Sequence, residues 1–512
     1  MASQKQILVV YDINNATILM IVKTEQDEIQ CYLVDASNTK GFCEAVYIPE
    51  NVSELKEIVK ELNDTRQQIT ISGNGTGLTG ARVPEGGVVI STEKLNRIFE
   101  INEEKLFAIV EPGVLLSELQ DTVEAEGLLY PPDPTERNCF IGGTVATNAS
   151  GAKTFKYGPT RDYVDELGIL LPDGDFIYLT RGQIFANNLS LTLKTKSGKN
   201  ISLYLPDYEM PMTKNASGYY CKRNMDAIDL FIGSEGTLGI ITKIKLKLLP
   251  LPDNIISCVL FFNSEDDALK FLTKARELSY KSRDLKTFDS IDATALEFFD
   301  ENALKFLLND YPNIPTGAKA AVWFEQECVG DEDRLLELWI NLFTEYGGKE
   351  EEAWFALTGK DKKQILEFRH AISANVNEYI TRNNFRKLGT DVAVPDEKLI
   401  DFYHTAKKEV RENKLDYVIY GHFGNSHIHL NMLPKTEEEF EKGKELYRSI
   451  CNKAIKLGGT FSAEHGVGKN KTEYLVEMYG EENVNKMRII KKALDPNYIL
   501  GVGNVFKKET LQ

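Results

Sequence analysis

The chain has 512 residues and six histidines, and four of the six fall in two short segments, GHFGNSHIHLNM at 421–432 and AEHG at 463–466. Imidazole is the side chain whose charge changes nearest neutral pH, and it is the commonest metal ligand. After Ser426 the first segment reads as a strand, with His427, His429 and Asn431 on one face and Ile428, Leu430 and Met432 on the other. His422 precedes it on a turn flanked by Gly421 and Gly424, free to fold back toward His429, and Glu464 and His465 come from a glycine-bounded loop. Two imidazoles and a carboxylate suit a borderline divalent cation such as zinc or manganese, with positions left open for a substrate. Spacing alone leaves one alternative open, a set of neutral histidines hydrogen-bonded in a polar core.

A second kind of chemistry is written in glycine. Residues 69–80 read ITISGNGTGLTG, a strand followed by Gly73, Asn74, Gly75, Thr76 and Gly77, and Gly75 to Gly80 matches GxGxxG. A dinucleotide turn of the Rossmann kind must open a helix. Here ARVPEGGVVIS follows, with Pro84 and Gly86-Gly87 leading into another strand, so that reading is excluded. What survives is a run of small residues that lets backbone N–H groups approach a phosphate. Gly142, Gly143, Thr144, Thr147, Asn148 and Gly151 form a second small-residue loop, IGGTVATNASG, and GSEGTLG at 233–239 makes a third. One long, extended cofactor explains three such loops better than three unrelated turns.

These segments need a scaffold, and the length allows two or three domains at about 100–200 residues each. From Gly73 to Gly239 short β-branched runs alternate with Gly, Thr, Ser and Asn, which predicts many short strands. After Pro250–Pro252 come longer, charged, helix-period stretches, so a boundary is expected near residue 252. One of them, QILEFRHAIS at 364–373, predicts a helix with Arg369 and Ser373 one turn apart. The formal charge of −17 repels nucleic acid and anionic lipid. Seven scattered cysteines without a CxxC pair read as free thiols in a reducing cytoplasm and exclude an iron–sulfur centre. The N-terminus lacks an export signal, and no apolar run approaches about 18 residues. HGVGKNK fails as an ATP-binding loop, because Ala463 and Asn470 stand where glycine and a hydroxyl are needed.

In order along the chain, SGNGTGLTGARVPEGGVVIS, Leu95-Asn96-Arg97-Ile98, VEPGV, PPDP, IGGTVATNASGAK, Tyr157-Gly158 and GSEGTLGIIT resemble the flavin domain of the vanillyl-alcohol-oxidase type enzymes. YGHFGNSHIHLNM, GGTFSAEHGVGK and ALDPNYILGVGNVF narrow the resemblance to the FAD-linked D-lactate, glycolate and D-2-hydroxyglutarate dehydrogenases. It runs from about Asp35 to Phe506 and implies an α+β architecture. That architecture has a two-subdomain FAD-binding domain at 35–252, an α+β substrate or cap domain with an antiparallel sheet at 253–485, and a tail at 486–512 returning to the first domain. Residues 1–34 form an extension without an assigned role.

The resemblance implies non-covalent FAD, its pyrophosphate over Gly73–Gly77 and the rest along Gly142–Gly151, Glu235–Ile240 and Asn504. No histidine precedes position 370 to tether it, although Cys139 adjoins the second loop. It also implies His422, His429 and Glu464 as metal ligands, His465 as catalytic base and Arg369 on the substrate carboxylate, with Asn431 as a further contact; Lys387 is left unassigned. One departure stands out. Relatives usually carry Gly-Asp-Gly-Asn where this chain has Gly424-Asn425-Ser426-His427.

The implied reaction is oxidation of a small D-2-hydroxy acid, D-lactate foremost, to the 2-oxo acid, with hydride going to flavin. Glycolate or D-2-hydroxyglutarate is the alternative substrate, and a non-catalytic flavin-binding electron-transfer subunit is the alternative of another class. Electrons would leave to a separate acceptor, an electron-transfer flavoprotein, a quinone or an iron–sulfur subunit. A homodimer is allowed, and the expected place is the cytoplasm, with a peripheral seat at the membrane left open.

Overall fold

The structure is a computed structural model that describes residues 8–13, 16–287, 289–356, 358–383 and 385–511. The stretch 1–7, part of the N-terminus read above for an export signal, lies outside the described residues. Two five-stranded sheets and one of eight strands carry the fold. In the first, strands Ala45–Ile48 and Ile69–Ser72 both run parallel to Val88–Ser91. Helix Val52–Asp64 covers these strands, burying Leu55, Ile58 and Val59 against Ile69, Val88 and Ile90. Its N-terminus is fixed by Asn51, whose side chain accepts from the N–H groups of Ser53 and Glu54. Hairpin Leu8–Ile13 and Ala16–Lys23 extends the sheet beyond Ala45–Ile48, so the N-terminal extension adds two strands to it, with Leu8–Ile13 at the edge.

The second sheet is wholly antiparallel, in the order Phe176–Thr180, Val164–Leu170, Ile240–Lys247, Phe107–Val110 and Ile98–Asn102. Every strand of the third sheet lies beyond residue 254, and all its pairings are antiparallel. Its strand Ile255–Phe262 is apolar at nearly every position because both faces are covered. Cys258, Leu260 and Phe262 share a core with Phe271 and Trp339, while Val259 and Phe261 pack with Phe368, Ile372 and Val376. The latter three belong to helix Gly359–Arg382, which contains the predicted 364–373 segment and opens on a capping box between Thr358 and Asp361.

The chain end does not stay with the third sheet. Ile69 N–H donates to Ile499 O at 2.7 Å and Gly501 N–H to Ile69 O at 2.9 Å, threading the tail along the strand that feeds the first glycine loop. The α+β class and the antiparallel cap sheet are as the sequence implies. Among the described residues, no helix is long and apolar enough to cross a membrane.

Candidate functional site

The first glycine loop leaves strand Ile69–Ser72 and returns as strand Val88–Ser91 with no helix between them, as the Pro84 argument requires. Arg82 lies beneath it: a Cβ at Gly75, where φ is +80°, would come within 2.8 Å of the guanidinium carbon. Arg82 donates to Val34 O at 3.0 Å, to Gly73 O at 2.8 Å and to Cys31 O, which ties the loop to the N-terminal extension. Asp35 accepts from Gly80 N–H at 2.9 Å, and Asn74 donates to Asn138 O at 2.6 Å. Gly73, Asn74, Gly75, Thr76 and Gly77 form one wall of a long cavity, together with Arg82, a cation suited to a phosphate.

The second small-residue segment is a correction to the loop reading: Ile141–Thr147 is a short helix, ended by Asn148 in the left-handed region. Its glycines do different work. A Cβ on Gly142 would come within 2.5 Å of Pro112, whereas one on Gly143 meets no atom within 4 Å and leaves the wall flat. Gly142, Gly143, Thr144 and Thr147 line the cavity, as do Glu235 and Ile240 of the third segment. Glu235 accepts from Val467 and Gly468 N–H, both at 2.7 Å, and so joins this segment to the loop that carries His465. Burial, outweighing those two N–H groups, raises its carboxyl to about 7.

At the far end the cavity is lined by His422, His429, Glu464 and His465. Strands Tyr417–Gly421 and His427–Met432 pair antiparallel with Tyr420 opposite His429, which folds His422 back over the second strand. Ser426 closes the turn at φ +52°, an uncommon conformation for a residue with a Cβ. It is held there by Arg276, which donates to Ser426 Oγ at 2.6 Å, and by Asp396, which accepts from it at 2.6 Å. His427 and His429 share a strand face, with ring centroids 4.3 Å apart. The opposite face is also covered, so the whole strand is buried or nearly so.

Two buried carboxylates orient these rings. Glu297 takes the N–H of His422 Nδ1 at 2.6 Å and an N–H of Arg369 at 3.1 Å, leaving His422 Nε2 3.2 Å from Glu464. Burial pushes Glu297 up, but His422 and then Arg369 outweigh it and hold the carboxyl at about 2. Asp391 meets His427 Nε2 at 2.9 Å, His465 Nδ1 at 3.3 Å and the Lys471 ammonium at 2.8 Å. Burial favours its neutral form, yet His465 and Lys471 keep it well below the usual carboxylate range. His429 Nδ1 is turned to Thr390 O at 3.2 Å, and its ring stacks on His465 at 5.5 Å and 14°. Burial and the neighbouring His427 ring keep His429 neutral, burial and Lys214 lower His427 to about 4, and burial lowers His465 against the pull of Asp391. Lys214 lies 3.2 Å from Glu464; burial alone would protonate that carboxyl, but Lys214 and His422 keep it ionised.

Several expected residues stand behind the cavity wall rather than in it. Asn504 donates to Ala81 O and Glu235 O, and Asn148 accepts from Arg161 N–H. A Cβ on Gly151 would strike Asp133 O, and Asn431 donates to His429 O at 3.3 Å. Arg369 reaches the wall through Thr135, to which it donates at 2.9 Å. Sequence reasoning missed Arg82, which lies just after the GxGxxG glycines, and Lys214, Glu297 and Asp391, which stand in no spaced motif. A larger open groove, about 1090 Å³, lies elsewhere and is lined by mutual ion pairs such as Lys319 with Glu301 at 2.9 Å.

Comparison with known proteins fits this geometry. Residues 43–180 match the FAD binding domain family and residues 251–505 the C-terminal domain of the FAD linked oxidases. Glycolate oxidase subunit GlcD of Bacillus subtilis is 32% identical, covering 91% of this chain and 89% of its own. D-lactate dehydrogenase of Anaerostipes hadrus is 30% identical over 90% of this chain and 88% of its own. D-2-hydroxyglutarate dehydrogenase of Stutzerimonas stutzeri is 28% identical over 95% and 96%. A solved alkyldihydroxyacetonephosphate synthase shares the fold at a TM-score of 0.62 and 15% identity, over 94% of this chain and 81% of that one. With both halves matched and a relative 32% identical over 91% of this chain, the chain belongs to the FAD-linked oxidases and is an FAD-dependent oxidoreductase.

Proposed function

We propose that the protein oxidises a small D-2-hydroxy acid, D-lactate foremost, to the 2-oxo acid, with electrons leaving to a separate acceptor. One observation carries this reading: the three glycine-containing segments and the cluster of His422, His429, Glu464 and His465 line the same cavity. Relatives named for glycolate, D-lactate and D-2-hydroxyglutarate support the substrate class. We divide the chain functionally at residue 252, with FAD between the two parts.

Gly73–Gly77 with Arg82 hold the pyrophosphate, and Gly142, Gly143, Thr144, Thr147, Glu235 and Ile240 flank the remainder. Asn148, Gly151 and Asn504 keep these segments in place from behind. Bound FAD supplies the hydride acceptor that no side chain offers. Binding is non-covalent: Cys139 lines the cavity, but burial raises its thiol to about 12, which leaves it a poor nucleophile.

His422, His429 and Glu464 fit a divalent metal, zinc or manganese. With Nδ1–H of His422 given to Glu297 and Nδ1 of His429 turned to Thr390 O, each ring has Nε2 left for a cation. Such a cation supplies Lewis acidity to a hydroxyl and a carboxylate. His465 accepts the hydroxyl proton at Nε2, since Asp391 occupies Nδ1 and fixes the ring. Arg369, held behind the wall by Glu297 and Thr135, lends positive charge to the substrate carboxylate, Lys214 adds a cation beside Glu464, and Asn431 steadies His429 from behind.

The test is anaerobic mixing of the holoprotein with D-lactate, glycolate and D-2-hydroxyglutarate, with zinc or manganese supplied. Flavin absorbance bleaches with at least one of them. Full retention of the oxidised spectrum across the panel overturns the proposal.

A further inference from the structure

His427 is the residue that the reading above leaves without a task. It stands where relatives usually carry an amide, its ring is fully buried, and its Nδ1 has no hydrogen-bond partner. The ring's other nitrogen, Nε2, lies 2.9 Å from Asp391 Oδ1. Asp391 also accepts from His465 N–H, Ser462 Oγ and the Lys471 ammonium, so it is an ionised acceptor and the proton between it and His427 sits on Nε2. Nδ1 therefore carries a lone pair. That nitrogen is 3.6 Å from Glu464 Oε2 and is shut away from water, while Glu464 lines the cavity.

Two electron-rich atoms face each other across this gap, and in a buried site that arrangement is costly unless a cation lies between them. The Lys214 ammonium donates to that same Glu464 oxygen at 3.2 Å and to Gly151 O, and His427 Nδ1 is still left without a hydrogen-bond partner. One ligand atom each from His422, His427, His429 and Glu464 lies within 4.8 Å of all the others. We infer that His427 Nδ1 is a direct ligand of the bound cation, making the set three imidazoles and one carboxylate. This rests on the metal reading of the site and adds a ligand to it. Strand alternation explains how the ligand arises: His427 and His429 are two apart on one strand and so share a face.

A nitrogen-rich set favours later first-row ions over manganese, and an ion accepting five or six ligands keeps places for both substrate oxygens. X-ray absorption of the zinc- or cobalt-loaded holoprotein then counts three imidazoles in the native chain and two in His427→Asn. The zinc Kd of His427→Asn rises beyond the roughly 10–100-fold typical of losing an outer partner, and the preference for zinc over manganese narrows. Flavin absorbance reports that the variant is folded, and His427→Gln serves if the asparagine variant is not. Two imidazoles in the native spectrum, or an unchanged Kd in the variant, overturns the inference; metal lost in His422→Ala alone then leaves the metal site standing. No stoichiometric metal in native protein supplied with zinc, cobalt or manganese overturns both.

Discussion

The two ends of the cavity are made of different material. At the glycine-lined cradle the chain contributes backbone and the absence of side chains: Gly143 presents no Cβ to the cavity, and Gly75 sits directly on Arg82. At the histidine end the chain contributes side chains from several separate segments, each aimed by a partner from another segment: Glu297 for His422, Asp391 for His427 and His465, Thr390 for His429. A cradle can be specified by a short run of sequence because its requirement is local. A cluster of aimed rings needs long-range contacts, so removing one distant carboxylate disturbs it while the cradle stands.

The sharpest way to test this division is to break one end and watch the other. His465→Ala should slow anaerobic flavin reduction by about 10²–10⁴-fold, the usual worth of a positioned base, while flavin content and its visible spectrum stay native. Reduction at the native rate would remove His465 as the base. Next in size is Glu297→Gln, which keeps the shape of the side chain but loses its charge between His422 and Arg369. Metal affinity should fall about 10–100-fold with flavin occupancy unchanged, measured by competition with a chelator. Loss of flavin instead would mean that the two ends are not independent.

The same division explains what could be read without the structure. The first glycine loop, the exclusion of a helix after Gly80 and the strand of alternating histidines are local patterns, and all three appear as expected. Asp391 sits in TDVAVP, which has no spacing that announces a role, and it matters only because strand pairing brings it beneath His427 and His465. Glu297 lies within an apolar strand, ALEFFD, where a lone carboxylate gives no hint that Arg369 and His422 close on it from elsewhere. The small-residue run at 141–151 is legible as a wall but not as a helix, because glycine and threonine are weak helix formers and the first turn is anchored by N–H bonds to the distant Val114 O and Pro112 O.

A smaller effect probes the cradle alone. Gly143→Leu places a side chain in open space, so the apoprotein should unfold at its native temperature while flavin occupancy falls severalfold, read from the ratio of visible to ultraviolet absorbance. Native occupancy would move the cofactor away from this wall.

The smallest effect falls on the one carboxylate that ties the two ends together. Glu235 belongs to the cradle, yet its oxygens hold Val467 and Gly468 beside His465. Burial raises its folded carboxyl from 4.5 to about 7, so between those values the folded chain keeps a proton that the unfolded chain has released. Stability from this group is complete below 4.5 and is lost as pH climbs through about 7. Thermal unfolding of the native protein should therefore lose ground across that window relative to Glu235→Gln, whose side chain does not titrate. The variant's own unfolding temperature should sit lower near pH 5, because an amide serves two N–H donors less well than a carboxyl group can. Parallel pH profiles would mean that Glu235 is ionised throughout and binds the two loops as a fixed charge, which would make the cradle and the histidine end one electrostatic unit rather than two.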